Sequence, residues 1–260
     1  MKRQVVIRRK PALELKTPAD IGRMRKAGRV VGEVLKILAE AAVPGVSTGR
    51  LDEIAAAEIA ARGARAAFLG YRGFPASLCV SVNEEVVHGI PDKRRILREG
   101  DIVSLDLGAV CDGFYGDAAV TAPVGAVSES AARLIEVTRN SLAAAVAAAK
   151  PGARLGDVSR AVQDVAEAAG MSVVREFVGH GIGRNLHEEP AVPNFGDRGT
   201  GPELKPGLVI AIEPMVNTGA WRVRVKENGW TVVTEDGGLS AHFEHTVAVT
   251  ENGAEVLTAV

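Results

Sequence analysis

Leu97-Arg98-Glu99-Gly100-Asp101-Ile102-Val103-Ser104-Leu105-Asp106 returns in altered form as Leu204-Lys205-Pro206-Gly207-Leu208-Val209-Ile210-Ala211-Ile212-Glu213. The same offset lays Pro44-Gly45 on Pro151-Gly152, Gly49 on Gly156 and Gly63 on Gly170, so a helical segment recurs together with its end signals. Further on, Asp117-Ala118-Ala119-Val120 resembles Glu244-His245-Thr246-Val247 at a longer offset, which puts about 20 extra residues between the paired acids of the second half. Two such halves folded against each other bring Asp106, Asp117, Glu213 and Glu244 toward one axis. Four buried carboxylates repel one another unless cations hold them.

The 260 residues, 47% hydrophobic and 24% charged, suffice for one large core or two closely joined halves and do not describe a disordered chain. A formal net charge of −1 exerts no global pull toward DNA or a membrane. The basic start, with Lys2, Arg3, Arg8, Arg9 and Lys10, reads as a solvated arm, with transient contact to ribosomal RNA as the alternative. No apolar core of a signal peptide follows it, and no apolar stretch approaches the roughly 20 residues of a membrane span. The expected location is therefore the cytoplasm. Cys79 and Cys111 form neither a disulfide framework nor a zinc-knuckle spacing, which agrees with a reducing compartment.

Thr17-Pro18-Ala19-Asp20 carries the signals of a helix start, and Ile21, Met24, Val31, Leu35 and Leu38 follow at helical spacing up to Pro44-Gly45. A second helix is expected over Thr48–Gly63, then strands at Leu78–Val82, Ile102–Val110 and Ala118–Val124. The second half repeats the order: helices over Ser128–Lys150 and Leu155–Ala169, then strands near Val173–Val178, Leu208–Val216, Trp230–Val233 and Glu244–Val249. Helices followed by antiparallel strands in each half predict an α+β fold. The expected division is an arm at 1–16 and one catalytic domain at 17–260, with halves of roughly 17–125 and 126–260.

Asp112-Gly113 is a two-residue hairpin signal between Asp106 and Asp117. If it forms the loop, Asp106 faces Ala119 and Asp117 sits diagonally on the same face. Asp106 and Glu213 each interrupt an apolar run, where an ionised side chain is costly without a counter-charge. Any one acid would be explained by an Arg or Lys partner or by a sheet edge; two duplicated pairs point to bound cations. His180 stands in Gly179-His180-Gly181-Ile182-Gly183, and His88 in the similar His88-Gly89-Ile90. A lone histidine is more often a hydrogen-bonded structural residue, but beside four acids it becomes a candidate ligand. Four carboxylates and an imidazole make a hard site suited to a pair of Mn, Fe(II), Co or Zn ions, and metal-assisted hydrolysis is the reaction class that follows.

The strings Ser81-Val82-Asn83-Glu84-Glu85-Val86-Val87-His88-Gly89-Ile90-Pro91, Gly179-His180-Gly181-Ile182-Gly183, Leu186-His187-Glu188-Glu189-Pro190, Ile212-Glu213-Pro214-Met215-Val216 and Glu244-His245-Thr246 closely resemble type I methionine aminopeptidase, over about Thr17 to Leu257. The resemblance implies the duplicated pita-bread fold and a dinuclear site held by Asp106, Asp117, His180, Glu213 and Glu244. It also implies His88 and His187 as substrate-contacting catalytic histidines and Glu213 as the proton acceptor from the metal-bridging water. The expected activity is removal of the initiator methionine from nascent polypeptides when the second residue is small (Ala, Gly, Ser, Thr, Cys, Pro or Val), by a protein acting as a monomer. Tyr71, Cys79, Phe177 and Trp230 would line the methionine pocket, whose aromatic and thiol surface suits a thioether; ordinary core packing is the alternative for these four.

Arg72 and Phe74 depart from the family pattern, where His and Tyr are expected, as does His242, where Gln is common. Glu213 and Glu244 stand too close in sequence for the helical insertion of type II enzymes. Two rivals remain: a proline-directed peptidase of the same fold, which would carry a sizeable N-terminal domain, and a catalytically dead binding module, which would have lost ligands.

Overall fold

Thr17 and Asp20 close a reciprocal cap: the Thr17 hydroxyl accepts from the Asp20 amide at 3.2 Å, and the Asp20 carboxylate accepts from the Thr17 amide at 3.3 Å. With Pro18 in the first turn, this cap starts helix α1 (Pro18–Ala41) where the sequence signals it. The computed structural model describes residues 13–260, so the basic arm from Lys2 to Lys10 lies outside the described residues. Helix α2 (Thr48–Ala61) is capped by Ser47, α3 (Glu129–Ala148) by Ser128, and α4 (Leu155–Ala168) begins after Arg154. Each half thus contributes one helix pair.

The helices bury their apolar stripes on one face of a nine-stranded sheet. Val31, Leu35 and Leu38 of α1 and Leu51 and Ile59 of α2 pack with Leu105 and Leu107 in one core. Leu134, Leu142, Val158 and Val162 of α3 and α4 pack with Ile210, Ile212 and Val247 in another. Burying each such side chain contributes about 1.5–3 kcal/mol. Both cores lie behind the sheet, which leaves the opposite face free to carry polar groups.

The frame of that sheet is a long hairpin, Ile102–Cys111 against Phe114–Pro123. Asp112 and Gly113 form its loop, both with positive φ (51° and 78°), as a primed turn requires. Asp106 pairs with Ala119 and Gly108 with Asp117, the register expected from the turn. Strand Glu244–Thr250 pairs antiparallel with the hairpin on one side and with Val209–Ile212 on the other. Gly179–Gly181 and Glu188–Val192 complete the sheet beyond.

Several strands differ from expectation. The run Leu208–Val216 divides into Val209–Ile212 and Met215–Asn217, which belong to different sheets; Pro214 cannot donate to a ladder, so the chain changes partners there. Of the segment Val173–Val178 only Val173 is strand, paired within Ser172–Val173; the polar pair Arg175-Glu176 follows and the chain re-enters the large sheet at Gly179. The second hairpin strand begins at Phe114 rather than Ala118, since the two-residue loop lets pairing run to the turn. Short strands at Glu85–Val87, Val223–Val225, Ser240–His242 and Gly253–Val256 were not expected.

Candidate metal centre and active site

Pairing register, not proximity in sequence, gathers the acidic groups. In the open face of the sheet Cys79, Asp106, Ala119 and Glu244 form one cross-strand row. Because cross-strand partners in an antiparallel sheet point to the same side, these side chains share a face. In the neighbouring row stand Asp117, with Thr246 donating to its carbonyl at 2.8 Å, and His180, which pairs with Ala211. Glu213 follows directly on the pair His245–Ile212 and joins the first row's end. Ala119, Ala211 and Gly108 between the functional groups keep the rows low enough for the long side chains to converge.

Ligand atoms of Asp117, His180 and Glu244 lie within 4.8 Å of one another. Nε2 of His180 is 3.6 Å from a Glu213 oxygen and 4.0 Å from an Asp117 oxygen. The other ring nitrogen, Nδ1, lies 2.9 Å from the Gly181 carbonyl, an acceptor only, so Nδ1 carries the hydrogen and Nε2 presents its lone pair to the carboxylates. Gly181 is required where the strand Glu188–Val192 packs close: a Cβ there would lie 2.6 Å from the Glu189 carbonyl carbon.

Burial dominates the electrostatics. It holds the Asp106 carboxyl up at about 7 against an ordinary 3.8. Asp117, Glu213 and Glu244 are pushed well above the usual carboxylate range, first by burial and then by neighbouring carboxylates. Burial takes His180 down to about 3 and His88 to about 4, so both imidazoles are neutral at physiological pH. Oδ1 of Asp106, Oδ1 of Asp117 and Oε1 of Glu244 are buried without a hydrogen-bond partner among the described residues. Buried carboxylate oxygens facing one another, with a neutral imidazole beside them, fit a divalent cation.

These groups form the floor of a cavity of about 140 Å³ whose walls include Tyr71, Cys79, His88, His187 and Trp230. The Tyr71 hydroxyl lies 2.9 Å from Nδ1 of His187, and their rings stack at 5.3 Å. His187 in turn lies 4.2 Å from the His180 ring, centre to centre. His88 adopts φ 60°, uncommon outside glycine, and turns its ring edge-on to Trp230 at 6.2 Å. Phe177 stands apart from the expected group. Its ring packs edge-on against His88 at 5.8 Å and is not among the cavity-lining residues, so it buttresses a wall.

Phe68, Phe74 and Leu186 line the cavity without having been singled out for the pocket. Phe74 is 5.1 Å from Trp230, edge to face. The signal for Leu186 was its place beside His187; Phe68 carried none. His242 is fully buried, with Nε2 3.8 Å from a Glu213 oxygen, so its departure from the family pattern falls against the acidic cluster.

Residues 22–251 match the model of metallopeptidase family M24. The chain belongs to that family. Among M24 metallopeptidases, it is 52% identical to the methionine aminopeptidase of Clostridium acetobutylicum, over 94% of this chain and 98% of the relative. The solved methionine aminopeptidase of Thermotoga maritima superposes with a TM-score of 0.95 at 50% identity, covering 96% of this chain and all of that one. The prolidase of Pyrococcus furiosus shares the fold alone, with a TM-score of 0.73 at 22% identity, and this chain spans 65% of it. The α+β fold expected from the order of helices and strands, and the pita-bread architecture that the resemblance implied, are those of these solved structures. As an M24 metallopeptidase the chain is a hydrolase that uses divalent metal, and the acidic cluster is a candidate site for it.

Proposed function

We infer that the protein is a methionyl aminopeptidase, which hydrolyses the peptide bond after an N-terminal methionine, with nascent polypeptides as its substrates. The observation that carries this is the convergence of four carboxylates and a neutral imidazole on the floor of a cavity walled by aromatic rings and a thiol. Relatives named methionine aminopeptidase match nearly the full chain.

Asp106, Asp117, His180, Glu213 and Glu244 would hold two divalent ions drawn from Co, Mn, Fe(II) and Zn; oxygen-rich donors with one imidazole favour such metals. Bound metal supplies an acidified water and polarises the scissile carbonyl. Glu213, whose carboxyl ends the acidic row, accepts the proton of the attacking water. His88, kept neutral by burial, and His187, whose pKa is lowered by partial burial and then by the Arg72 charge, donate hydrogen bonds to the substrate amide and to the oxyanion that develops. The Tyr71 hydroxyl fixes which His187 nitrogen faces the substrate. Tyr71, Cys79 and Trp230, with Phe68 and Phe74, take the methionine side chain.

Selection at the second residue is steric: the small set Ala, Gly, Ser, Thr, Cys, Pro and Val fits beside the acids, and bulkier side chains clash. The protein acts as a cytoplasmic monomer, its catalytic unit running over 17–260 in two halves. Among the described residues no helix is long and apolar enough to cross a membrane. The test is release of the N-terminal amino acid from Met-Ala-Ser, Met-Leu-Ser and an Ala-Pro dipeptide. Cleavage of the first alone supports the reading; cleavage of the Ala-Pro dipeptide alone assigns the site to proline-directed hydrolysis instead.

A further inference from the structure

Arg72 is the one cation among the residues that line the active-site cavity. It lies in the turn Tyr71–Gly73 with φ 49° and ψ 22°, and its guanidinium sits 5.4 Å from the Tyr71 ring centre. Among the described residues no carboxylate comes within ion-pair distance of it, and residues 1–12 contain no Asp or Glu. Several other exposed arginines are paired, Arg25 with Glu255, Arg94 with Asp92 and Arg198 with Asp164. Arg72 is exposed while the acids of the floor are buried, so it marks the solvent end of the same cavity.

A substrate whose amino terminus reaches the buried acids leaves the cavity at its exposed end, where Arg72 and His187 stand. An extended chain advances roughly 3.3 Å per residue, so the third and later residues emerge toward the mouth. Stacking over Tyr71 holds the guanidinium without consuming its donors, which remain free for a carboxylate or a main-chain carbonyl. We propose that Arg72 is a specificity residue that selects substrates by the charge of the residues after the scissile bond, favouring acidic and disfavouring basic ones. This rests on the reading of the site as a methionine-removing centre. It adds a preference beyond the second residue, one that the steric argument does not contain.

The test compares kcat and KM of the Mn-loaded enzyme on Met-Ala-Glu-Gly, Met-Ala-Gln-Gly and Met-Ala-Lys-Gly. An exposed ion pair is a modest interaction, so the expected spread from Glu to Lys is roughly 3-fold to 10-fold in kcat/KM. It is carried by KM, since the contact is equally present in ground and transition states. The spread narrows in about 0.5 M salt, where the Debye length falls to a few ångströms. Within each enzyme the ratio of the Glu to the Lys peptide is the readout: Arg72→Lys keeps it, Arg72→Gln brings it near one, and Arg72→Glu inverts it. Equal kcat/KM on the three peptides in the parent, or the parent's order persisting in Arg72→Gln and Arg72→Glu, overturns the assignment. Release of methionine from none of the peptides instead overturns the reading of the site, and the role of Arg72 with it.

Discussion

Asp106 and Glu244 flank Ala119 in a single cross-strand row, one from each half of the duplicated chain. The pair comes from strands 138 positions apart in sequence only by way of a shared neighbour, and that neighbour has the smallest side chain that still favours a strand over glycine. Ala119 is buried, 1% exposed, with both carboxylates converging over it. The row therefore works as a spacer as much as a scaffold.

Ala119→Leu is expected to separate the two carboxylates. Overpacking costs about 1–3 kcal/mol of stability, and metal affinity falls by more than about 10-fold, as second-layer changes around metal sites commonly do. Thermal unfolding and a Mn titration by calorimetry measure the two effects. A variant that binds metal like the parent removes the spacer argument.

Metal binding should expel protons. The metal-free Asp106 carboxyl keeps its proton until about pH 7, whereas His180, at about 3, is already neutral. Buffer-dependent binding enthalpies at pH 6 should therefore report proton release from carboxyls, decreasing toward pH 8 and smaller in Asp106→Asn. The same shift has a stability consequence with a fixed sign. Raised in the fold, Asp106 contributes stability below its unfolded value near 3.8 and loses it as pH rises through about 7. Relative to the parent, metal-free Asp106→Asn thus gains stability as pH rises through that window.

Tyr71→Phe keeps the ring that stacks on His187 and deletes the hydroxyl 2.9 Å from its Nδ1. A neutral hydrogen bond contributes about 0.5–1.5 kcal/mol, so kcat should drop roughly 2-fold to 12-fold with KM little changed. Steady-state kinetics on Met-Ala-Ser decide. A change confined to KM would make Tyr71 a pocket wall only.

Lys16 and Glu188 form a buried ion pair at 2.6 Å, with the lysine side chain 2% and the glutamate 10% exposed. Glu188 also accepts from the Asn185 amide at 3.0 Å and follows His187 in the chain. Lys16→Ala leaves a buried charge unpaired, which should cost about 3–5 kcal/mol. Denaturant unfolding tests this, and a loss below about 1 kcal/mol would show the pair to be solvated.

What was legible in the sequence was what local chemistry dictates. Thr17 and Asp20 announced α1, and Asp112-Gly113 set the hairpin register that puts Asp106 and Asp117 on one face. Duplication then pointed to Glu213 and Glu244 as their counterparts. The strand holding His180 was not legible, because three glycines in Gly179–Gly183 carry no strand propensity and pairing there is imposed by neighbouring strands. Nor was the change of sheets at Pro214, which a periodicity count reads as one continuous strand. Phe68 and Phe74 reach the cavity through long-range packing, for which a single sequence has no signal. Phe177, expected on the cavity wall, packs edge-on against His88 and with Val174, Met215 and Val232.

The central claim is that Asp106 helps to hold the metal on which hydrolysis depends. Its most direct test is methionine release from Met-Ala-Ser by chelated protein, before and after adding back Mn, Co or Fe(II), for the parent and Asp106→Asn. The account predicts no release after chelation, recovery in the parent with metal, and a loss of more than about 100-fold in the variant at every metal, since even changes outside the ligand set typically cost 10–100-fold. Undiminished release from the chelated protein, or equal rates in parent and variant, would contradict it.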